Sequence, residues 1–232
     1  MDALSWPPGG PLATVRSSVE VAPVAAQTKV YVRLARLPAP ASCPAPAAGA
    51  ARGTGLQSRT GLALLAALAR DCRLPPFALL HRDGNGKPRF PDGPDFSISH
   101  SRGFAACAVA PPGFSIGIDL EPRDRARAAA VLRIAGEQER AALADGVMTA
   151  TELWTAKEAV LKAAGAGLPE ICGVSVQPAI AHFAGRTYAW RHVHPGQGLV
   201  LAIVVDRTMP PVEIRWQAPA VDFPLPNPAW EH

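Results

Sequence analysis

The sequence predicts an α+β protein in which antiparallel sheets are packed with a few helices. Most segments that alternate apolar and polar residues lie close together along the chain, as strands joined by hairpins do. Two segments carry apolar residues at helical spacing, and each is followed by strand-like segments. The 232 residues, of which 48% are hydrophobic and 18% charged, are enough to bury a core.

The amino-terminal elements follow from this alternation of strand and helix patterns. The first 27 residues mix Pro, Ala, Ser and Gly, and we expect a disordered tail there. "KVYVRLARL" (29–37) predicts the first strand, whereas the prolines of the next segment predict a loop. Leucines and alanines at helical spacing predict an amphipathic helix over 56–69, which "LPP" ends.

A hairpin and three strands are predicted next. Asp-Gly and Asn-Gly in "HRDGNGKPRF" tolerate positive φ and therefore indicate a tight hairpin at 81–90. The strands are "FSISHS" (96–101), "FAACAVA" (104–110) and "FSIGIDLE" (114–121).

The carboxyl-terminal half predicts helices and then a sheet. Residues 127–144 read as helical in two pieces. "TATELWTAKEAVLKAAGAG" (149–167) carries the clearest helix signal, with a Thr149/Glu152 capping box and a glycine stop. Four further strands of an antiparallel sheet are predicted at "VSVQPAI", "TYAWRHVH", "LVLAIVVD" and "VEIRW".

Charge and composition narrow the class of partner. The net charge of +4 and a pI near 9.1 come from scattered basic residues and favour anionic partners. With 6% aromatic residues and no basic stripe, nucleic acid is not expected as a partner. The cysteines lack C-x-x-C spacing and predict free thiols. No signal-peptide pattern opens the chain and no apolar run is long enough to span a bilayer, so we expect a cytoplasmic protein without a membrane partner.

Two carboxylates in "IGIDLE" form a candidate metal site. Side chains alternate across a strand, so Asp119 and Glu121 share one face while Ile118 and Leu120 share the other. Paired carboxylates repel unless a cation lies between them, and oxygen ligands suit Mg²⁺. The alternative is an ordinary solvated acidic face on an edge strand.

The helix at 149–167 adds a carboxylate and an ammonium. Trp154, Glu158 and Lys162 follow at four-residue intervals and share a face, with Lys157 alongside. The alternative is an exposed i, i+4 pair that stabilises the helix by a few tenths of a kcal/mol.

Other motifs are assessed by what they lack. The serines and histidine of "SISHS" have a structural interpretation as turn hydrogen bonds, and no G-x-S-x-G elbow supports serine hydrolysis. "GNGKP" is not a phosphate-binding Walker loop, because His81 replaces its first glycine and Pro88 its Ser or Thr. The late histidines His182, His192 and His194 are interpreted as surface residues.

Taken together and in order, "GKPRF", "FSISHS", "GIDLEP" and "WTAKEAVLKAAGAGL" resemble the surfactin-type (Sfp-type) 4′-phosphopantetheinyl transferases. The resemblance covers Lys87 to Leu168. It implies two similar small α/β lobes related by pseudo-twofold symmetry, with the active site between them. We therefore expect an amino-terminal lobe at 28–115, a carboxyl-terminal lobe at 116–232 and a monomer.

The resemblance also implies an activity. The family transfers the phosphopantetheine arm of coenzyme A to a serine of an apo acyl or peptidyl carrier protein and releases 3′,5′-ADP. Such carriers serve fatty acid, polyketide or nonribosomal peptide synthesis. An acidic carrier would suit the basic chain.

The family's site residues carry over by motif. The resemblance implies that Asp119, Glu121 and Glu158 hold Mg²⁺. It also implies that Lys162 neutralises charge on the pyrophosphate, with Lys157 as a second candidate for the same role. Catalytic roles would fall to Glu158, Lys162 and Glu139. Glu139 would be the base for the serine hydroxyl, or else a metal-bound water would act. The implied coenzyme A contacts are Ser99, His100, Lys87, Pro88, Lys157 and Lys162.

The amino-terminal half departs from the family pattern. Its usual basic helix is replaced by a Pro/Ala-rich segment, so the resemblance leaves Arg52, Arg59 and Thr60 to grip the 3′-phosphate of coenzyme A. The alternative for Arg59 is a solvated helix charge.

Two other functions use the same residues. One is a Mg²⁺-dependent pyrophosphohydrolase acting on coenzyme A or a nucleotide. The other is a non-catalytic module that binds coenzyme A or a carrier protein.

Overall fold

The computed structural model describes residues 28–37, 54–72, 74, 80–84, 86–91 and 93–217, and within them it confirms the α+β class. The expected tail at 1–27, Cys43 and Arg52 lie outside the described residues. The helices are α1 (Thr54–Cys72), α2 (Ala128–Val131), α3 (Glu137–Ala144) and α4 (Ala150–Ala164), with a 3₁₀ helix at Leu168–Gly173. The strands are β1 (Val30–Arg36), β2 (His81–Arg82), β3 (Pro88–Arg89), β4 (Phe96–Ser101), β5 (Phe104–Val109), β6 (Ile116–Pro122), β7 (Ser175–Gln177), β8 (Ile180–Phe183), β9 (Arg186–Val193), β10 (Leu199–Val205) and β11 (Val212–Gln217).

The strands form two main sheets and one short ladder. The first sheet has the order β11-β1-β5-β4, and the second has the order β6-β10-β9-β8-β7. The hairpin predicted at 81–90 is the antiparallel ladder of β2 and β3. One prediction is wrong: β11, expected in the last antiparallel sheet, pairs in parallel with β1 of the first sheet. A period-two pattern identifies a strand but does not show which strand lies beside it. The pairing of β11 with β1 joins the two ends of the described chain.

An apolar core lies between the inner faces of the two main sheets. Alternate residues of β1 and β5 meet alternate residues of β6 and β10 there, among them Val32, Ala106, Ile118, Leu201 and Ile203. The outer faces are covered by helices, because α1 packs on the first sheet and α4 on the second. In β6 the residues that face α4 are therefore Gly117, Asp119 and Glu121, the shared face predicted for the two carboxylates.

The helix α4 has the predicted ends. The Thr149 side chain accepts a hydrogen bond from the Glu152 N–H, and the Glu152 carboxylate accepts one from the Thr149 N–H. Gly165 ends the helix at φ 72°, in the left-handed region that glycine adopts without a Cβ clash. Both ends of the element that carries Glu158 and Lys162 are thus fixed.

The two main sheets meet edge to edge through side chains. On the outer edge of β6, the N–H groups of three alternate residues donate to side-chain oxygens in the segment 95–99. We call the three accepting side chains, Asp95, Ser97 and Ser99, the side-chain ladder. Its hydrogen bonds join the Ile116 N–H to Asp95 at 2.9 Å, the Ile118 N–H to Ser97 at 3.1 Å and the Leu120 N–H to Ser99 at 3.1 Å. Because N–H groups on one edge of a strand recur every second residue, the ladder has the period of the strand.

Two expectations from composition can be compared with the structure. Of the described cysteines, Cys72 and Cys107 are buried, Cys172 is exposed, and all three are free thiols, as predicted. Among the helices in the described part of the chain, none has the length and apolarity needed to cross a membrane.

The close contact between β6 and α4 depends on Gly117. A Cβ at this position would lie 1.9 Å from the carbonyl oxygen of Ala159 and 2.5 Å from the Ala163 nitrogen. We expect Gly117→Ala to lower the free energy of unfolding by about 3 kcal/mol or more, because both obstacles are backbone atoms. Urea denaturation measures the change. Gly84→Ala is the control, since its Cβ would have no neighbour within 4 Å; equal stability of the two variants would contradict the assigned contact.

Candidate active site

Three carboxylates converge where β6 meets α4. Asp119 is only 3% exposed, while Glu121, one step further along the same face of β6, is partly buried. Glu158 lies on the facing helix and is close enough for Asp119 and Glu121 to raise its pKa. The structure therefore brings together the three residues predicted as metal ligands.

Lys162 joins this cluster as its positive charge. Its Nζ lies 2.6 Å from Asp119 Oδ1 and 3.9 Å from Glu158 Oε2. The second distance is an i, i+4 contact along α4, whereas the first links α4 to β6. Glu158 and Lys162, for which an exposed i, i+4 pair was the alternative interpretation, are thus part of a charge cluster that connects a helix to a sheet.

Two serines of β4 hold the carboxylates from the opposite side. Ser99 donates to Asp119 Oδ1 at 2.9 Å, and Ser101 donates to Glu121 Oε2. Ser99 was predicted to contact a phosphate of coenzyme A, but its hydroxyl accepts bonds from the Leu120 N–H and from Lys162 Nζ as well. One donor and two acceptor positions are all that a hydroxyl has, so Ser99 is fully engaged inside the protein.

The cluster raises the proton affinity of its glutamates. Burial is the largest cause for Glu158, repulsion from Asp119 follows, and the pKa of Glu158 rises to about 7 although Lys162 opposes the shift. Burial also raises the pKa of Glu121, against the hydrogen bond from Ser101. The cations beside these three carboxylates are Lys162 and Arg125, whose Nε lies 3.7 Å from Glu121 Oε2, so negative charge is in excess.

The donor set fits a hard divalent cation. Asp119 Oδ2 is buried and has no hydrogen-bond partner, and three carboxylates supply the oxygen ligands that Mg²⁺ takes. Within the described ranges, no group of three or more His, Cys, Asp or Glu side chains already has the geometry of a metal site. In the structure Lys162 bonds Asp119, and Ser101 bonds Glu121.

A first cleft, of about 280 Å³, opens on the Lys162 side of the cluster. Lys87 and Pro88 line it, together with Lys162 and the glycine end of α4, as the predicted coenzyme A contacts require. The Lys87 ammonium, however, donates to Asp95 at 2.6 Å and to the Ile116 carbonyl at 3.0 Å. Burial lowers the pKa of Lys87 while Asp95 opposes the shift. Lys87 thus forms the cleft wall with its charge already paired.

A second cleft, of about 400 Å³, opens on the Glu158 side. Glu121, Glu158 and Trp154 line it, and Arg125 and Arg127 add positive charge. The carboxylate cluster therefore lies between two clefts that differ in lining, one beside Lys87 and the other beside the arginines.

His100 and the α1 residues lie on the other face of β4. The ladder serines share one face, so His100 points with Phe96 and Ile98 toward the side that α1 covers. Gly61 of α1 lies against Ile98, which places Arg59 and Thr60 near this contact. His100 and Arg59 are both exposed. The structure does not bring these residues into contact with the carboxylates.

Lys157 and Glu139 are not at the site, which corrects two predictions. Lys157 is fully buried, its ammonium lies 2.8 Å from Glu139 Oε2, and it donates to the Val174 carbonyl. Glu139 also accepts from the Val176 N–H and the Gly136 N–H, both at 2.7 Å. Glu139 lines a separate cavity of about 190 Å³ that shares no lining residue with the clefts beside the carboxylates, and both of its oxygens are bonded. The pair ties α3 and α4 to the segment leading into β7.

Sequence reasoning missed Asp95 and Ser101. Both belong to the alternating polar pattern Asp95, Ser97, Ser99, Ser101, which has the same period as the carboxylates of β6. Matching these two periods could have paired the segments before the structure was known. The late histidines are as expected for His182 and His194, which are exposed, whereas His192 is half-buried and lies 2.9 Å from the Glu152 carbonyl.

Comparison with known protein families gives a match over part of the chain. The model of the 4′-phosphopantetheinyl transferase superfamily matches residues 115–204, which contain β6, α4 and the three carboxylates. The resemblance inferred from the motifs is thus confirmed for this segment, and with it a link to phosphopantetheine transfer. No curated protein matches the chain.

The buried pair makes a prediction about stability. We expect Glu139→Ala to lower the free energy of unfolding by about 3–5 kcal/mol, because it leaves the buried Lys157 charge without its carboxylate counter-ion. Urea denaturation measures this loss, and Glu137→Ala, which removes an exposed carboxylate from the same helix, is the control. A Glu139→Ala protein as stable as Glu137→Ala would contradict the structural role.

The raised pKa of Glu158 predicts how stability changes with pH. In metal-free protein, the folded state keeps the Glu158 proton up to a pKa of about 7, against 4.5 for the ordinary group. Stability should therefore fall as the pH rises from 5 to 8, and Glu158→Gln should remove this contribution. We expect the variant to melt roughly 2–4 °C higher than wild type at pH 8, the shift produced by about 1 kcal/mol. Scans in EDTA at pH 5, where the difference should vanish, provide the control; a variant that melts lower at pH 8 would refute the assigned repulsion.

Proposed function

We propose that this chain, which carries a 4′-phosphopantetheinyl transferase superfamily domain at residues 115–204, transfers the phosphopantetheine arm of coenzyme A to a serine of an apo carrier protein. The serine Oγ attacks the phosphorus that bears the pantetheine arm. The bond from that phosphorus to the bridging oxygen breaks, and 3′,5′-ADP leaves. Phosphoryl transfer of this kind depends mainly on positioning and charge stabilisation.

The observation that carries the proposal is the position of the carboxylate cluster between two clefts. Lys162 lines the first cleft and Glu158 the second, although they are one turn apart on α4. A transferase needs two substrates to meet at one centre, whereas a hydrolase needs only one substrate and water. The arrangement favours coenzyme A in the first cleft and the carrier serine in the second.

Asp119, Glu121 and Glu158 would hold Mg²⁺, as their donor chemistry allows. When bound, the ion would supply charge stabilisation at the pyrophosphate oxygens. Lys162 would neutralise charge on the same pyrophosphate from the first cleft, where its ammonium is partly exposed. His100 of β4 and Arg59 of α1, which are both exposed, would take a terminal phosphate of coenzyme A.

Glu158 is the proposed base for the serine hydroxyl. It lines the second cleft, where the carrier serine would enter, and would accept the proton there directly or through a water. Glu139, the other candidate, is saturated in the core.

The second cleft also supports an acidic carrier as the partner. Arg125 and Arg127 line it, and Arg123 is exposed two residues before Arg125. Positive charge at the rim would raise the rate of encounter with an acidic protein, an effect that weakens as salt is added.

The proposal is tested by incubating the protein with coenzyme A, Mg²⁺ and an apo carrier protein and weighing the carrier by mass spectrometry. We expect the carrier to gain one phosphopantetheine arm. Asp119→Ala and Glu158→Ala should lower the rate about 100-fold or more, because each removes a charge from the reacting centre.

Glu137→Ala, which removes an exposed carboxylate outside the cluster, should retain wild-type turnover. Release of free phosphopantetheine without carrier would show a pyrophosphohydrolase. Coenzyme A binding without either product would show a binding module. Near-normal transfer by Asp119→Ala or Glu158→Ala would overturn the assigned site.

A further inference from the structure

The serines of β4 divide into those that touch a carboxylate and one that does not. Ser97, Ser99 and Ser101 lie at two-residue intervals on one face of β4 and are all buried. Ser97 and Ser99 each accept a hydrogen bond of 3.1 Å from an N–H of β6. They are therefore equivalent toward the backbone, but only Ser99 also bonds Asp119 and Lys162.

A proline changes the role of the third serine. The next N–H on this edge of β6 would belong to residue 122, which is Pro122 and has no N–H. Ser101 thus has no backbone donor opposite it at this step, and its hydroxyl donates to Glu121 Oε2. At this last step of the pattern, Ser101 therefore bonds a carboxylate and not a backbone N–H of β6.

The contacts leave one oxygen of Asp119 available. Ser99 and Lys162 both bond Oδ1, while Oδ2 is buried and has no hydrogen-bond partner. A buried carboxylate oxygen without a donor is costly unless a cation or donor reaches it. Ser99, together with Lys162, thus engages Oδ1 and leaves Oδ2 as the oxygen available to an ion.

We propose that Ser99 and Ser101 are positioning residues that orient Asp119 and Glu121 for the divalent cation, whereas Ser97, which also lines the first cleft, bonds the Ile118 N–H and no carboxylate. The inference deepens the proposed function and rests on its metal site. Hydroxyls that hold ligand carboxylates lower the cost of organising them when the ion binds. Loss of such an outer contact typically weakens metal binding about 10-fold to 100-fold.

The test is a Mn²⁺ titration followed by electron paramagnetic resonance of the free ion, in the presence of coenzyme A. The same titration without protein gives the blank. We expect Ser99→Ala to weaken Mn²⁺ binding about 10-fold or more, whereas Ser97→Ala should stay within about twofold of wild type. Both variants leave one β6 N–H without its acceptor, so their thermal midpoints should fall by similar amounts.

Ser101→Ala is a second variant, and it leaves no backbone N–H without its acceptor. It should fold like wild type and still weaken Mn²⁺ binding about 10-fold. The apparent KM for Mg²⁺ in the carrier assay should rise in the Ser99 and Ser101 variants while kcat at saturating Mg²⁺ changes less.

The outcomes separate this inference from the function itself. If wild type binds Mn²⁺ and transfers the arm but Ser99→Ala and Ser101→Ala bind like Ser97→Ala, the positioning role is refuted and the function stands. Equal weakening in all three variants would likewise refute it, since a general loosening of the strands would then suffice. If wild type shows no Mn²⁺ binding above the blank, the metal site fails and this inference with it.

Discussion

The arrangement of this molecule depends on how two sheet edges are joined. An unpaired strand edge exposes N–H groups that must find partners when they are buried. β4 and β6 solve this with the side-chain ladder, in which Asp95, Ser97 and Ser99 take the place of a backbone strand. Side chains reach further than a backbone ladder does, so the sheets can diverge around their common core. The first cleft lies beside this junction, between β3, β4 and the end of α4, whereas the second is lined by β6, α2, α4 and the segment between β6 and α2.

The same fold uses two Lys–Glu arrangements for different purposes. Lys157 and Glu139 are buried together with every polar group bonded, which is the condition under which a buried ion pair is tolerated. Lys162 instead meets two carboxylates near a third, in a partly exposed place, and cannot neutralise them all. The first arrangement holds α3 and α4 in place; the second leaves unbalanced charge where a cation and a pyrophosphate would bind.

Much of this could be predicted from local patterns. The capping box and glycine stop of α4 and the shared face of Asp119 and Glu121 follow from periods of 3.6 and 2, and the structure has them. The position of Lys157 could also have been found, because it continues a buried helical stripe with Leu153 and Val160. The sequence prediction instead placed Lys157 beside its neighbour Glu158, on the face of α4 that carries the candidate site residues.

The rest required long-range information. Nothing local to β11 identifies β1 as its parallel partner, since a strand pattern specifies only which face is apolar. The phosphate contact of Ser99 was implied by the family resemblance, and a local pattern does not show which groups a strand hydroxyl meets. Its true partners, Leu120, Asp119 and Lys162, come from two other elements.

Helix α4 sets the distance over which any reaction here must occur. Glu158 faces the second cleft and Lys162 the first, and four residues of helix separate them by about 6 Å along the axis. The helix cannot approach β6 more closely, because Ala159 and Ala163 lie against Gly117 without room for a Cβ. Groups delivered from the two clefts therefore meet within one helical turn of each other, beside Asp119. In the proposed transfer, a carrier serine would meet the pyrophosphate within this span by entering past Trp154 and the arginines, and the second cleft would then select the partner.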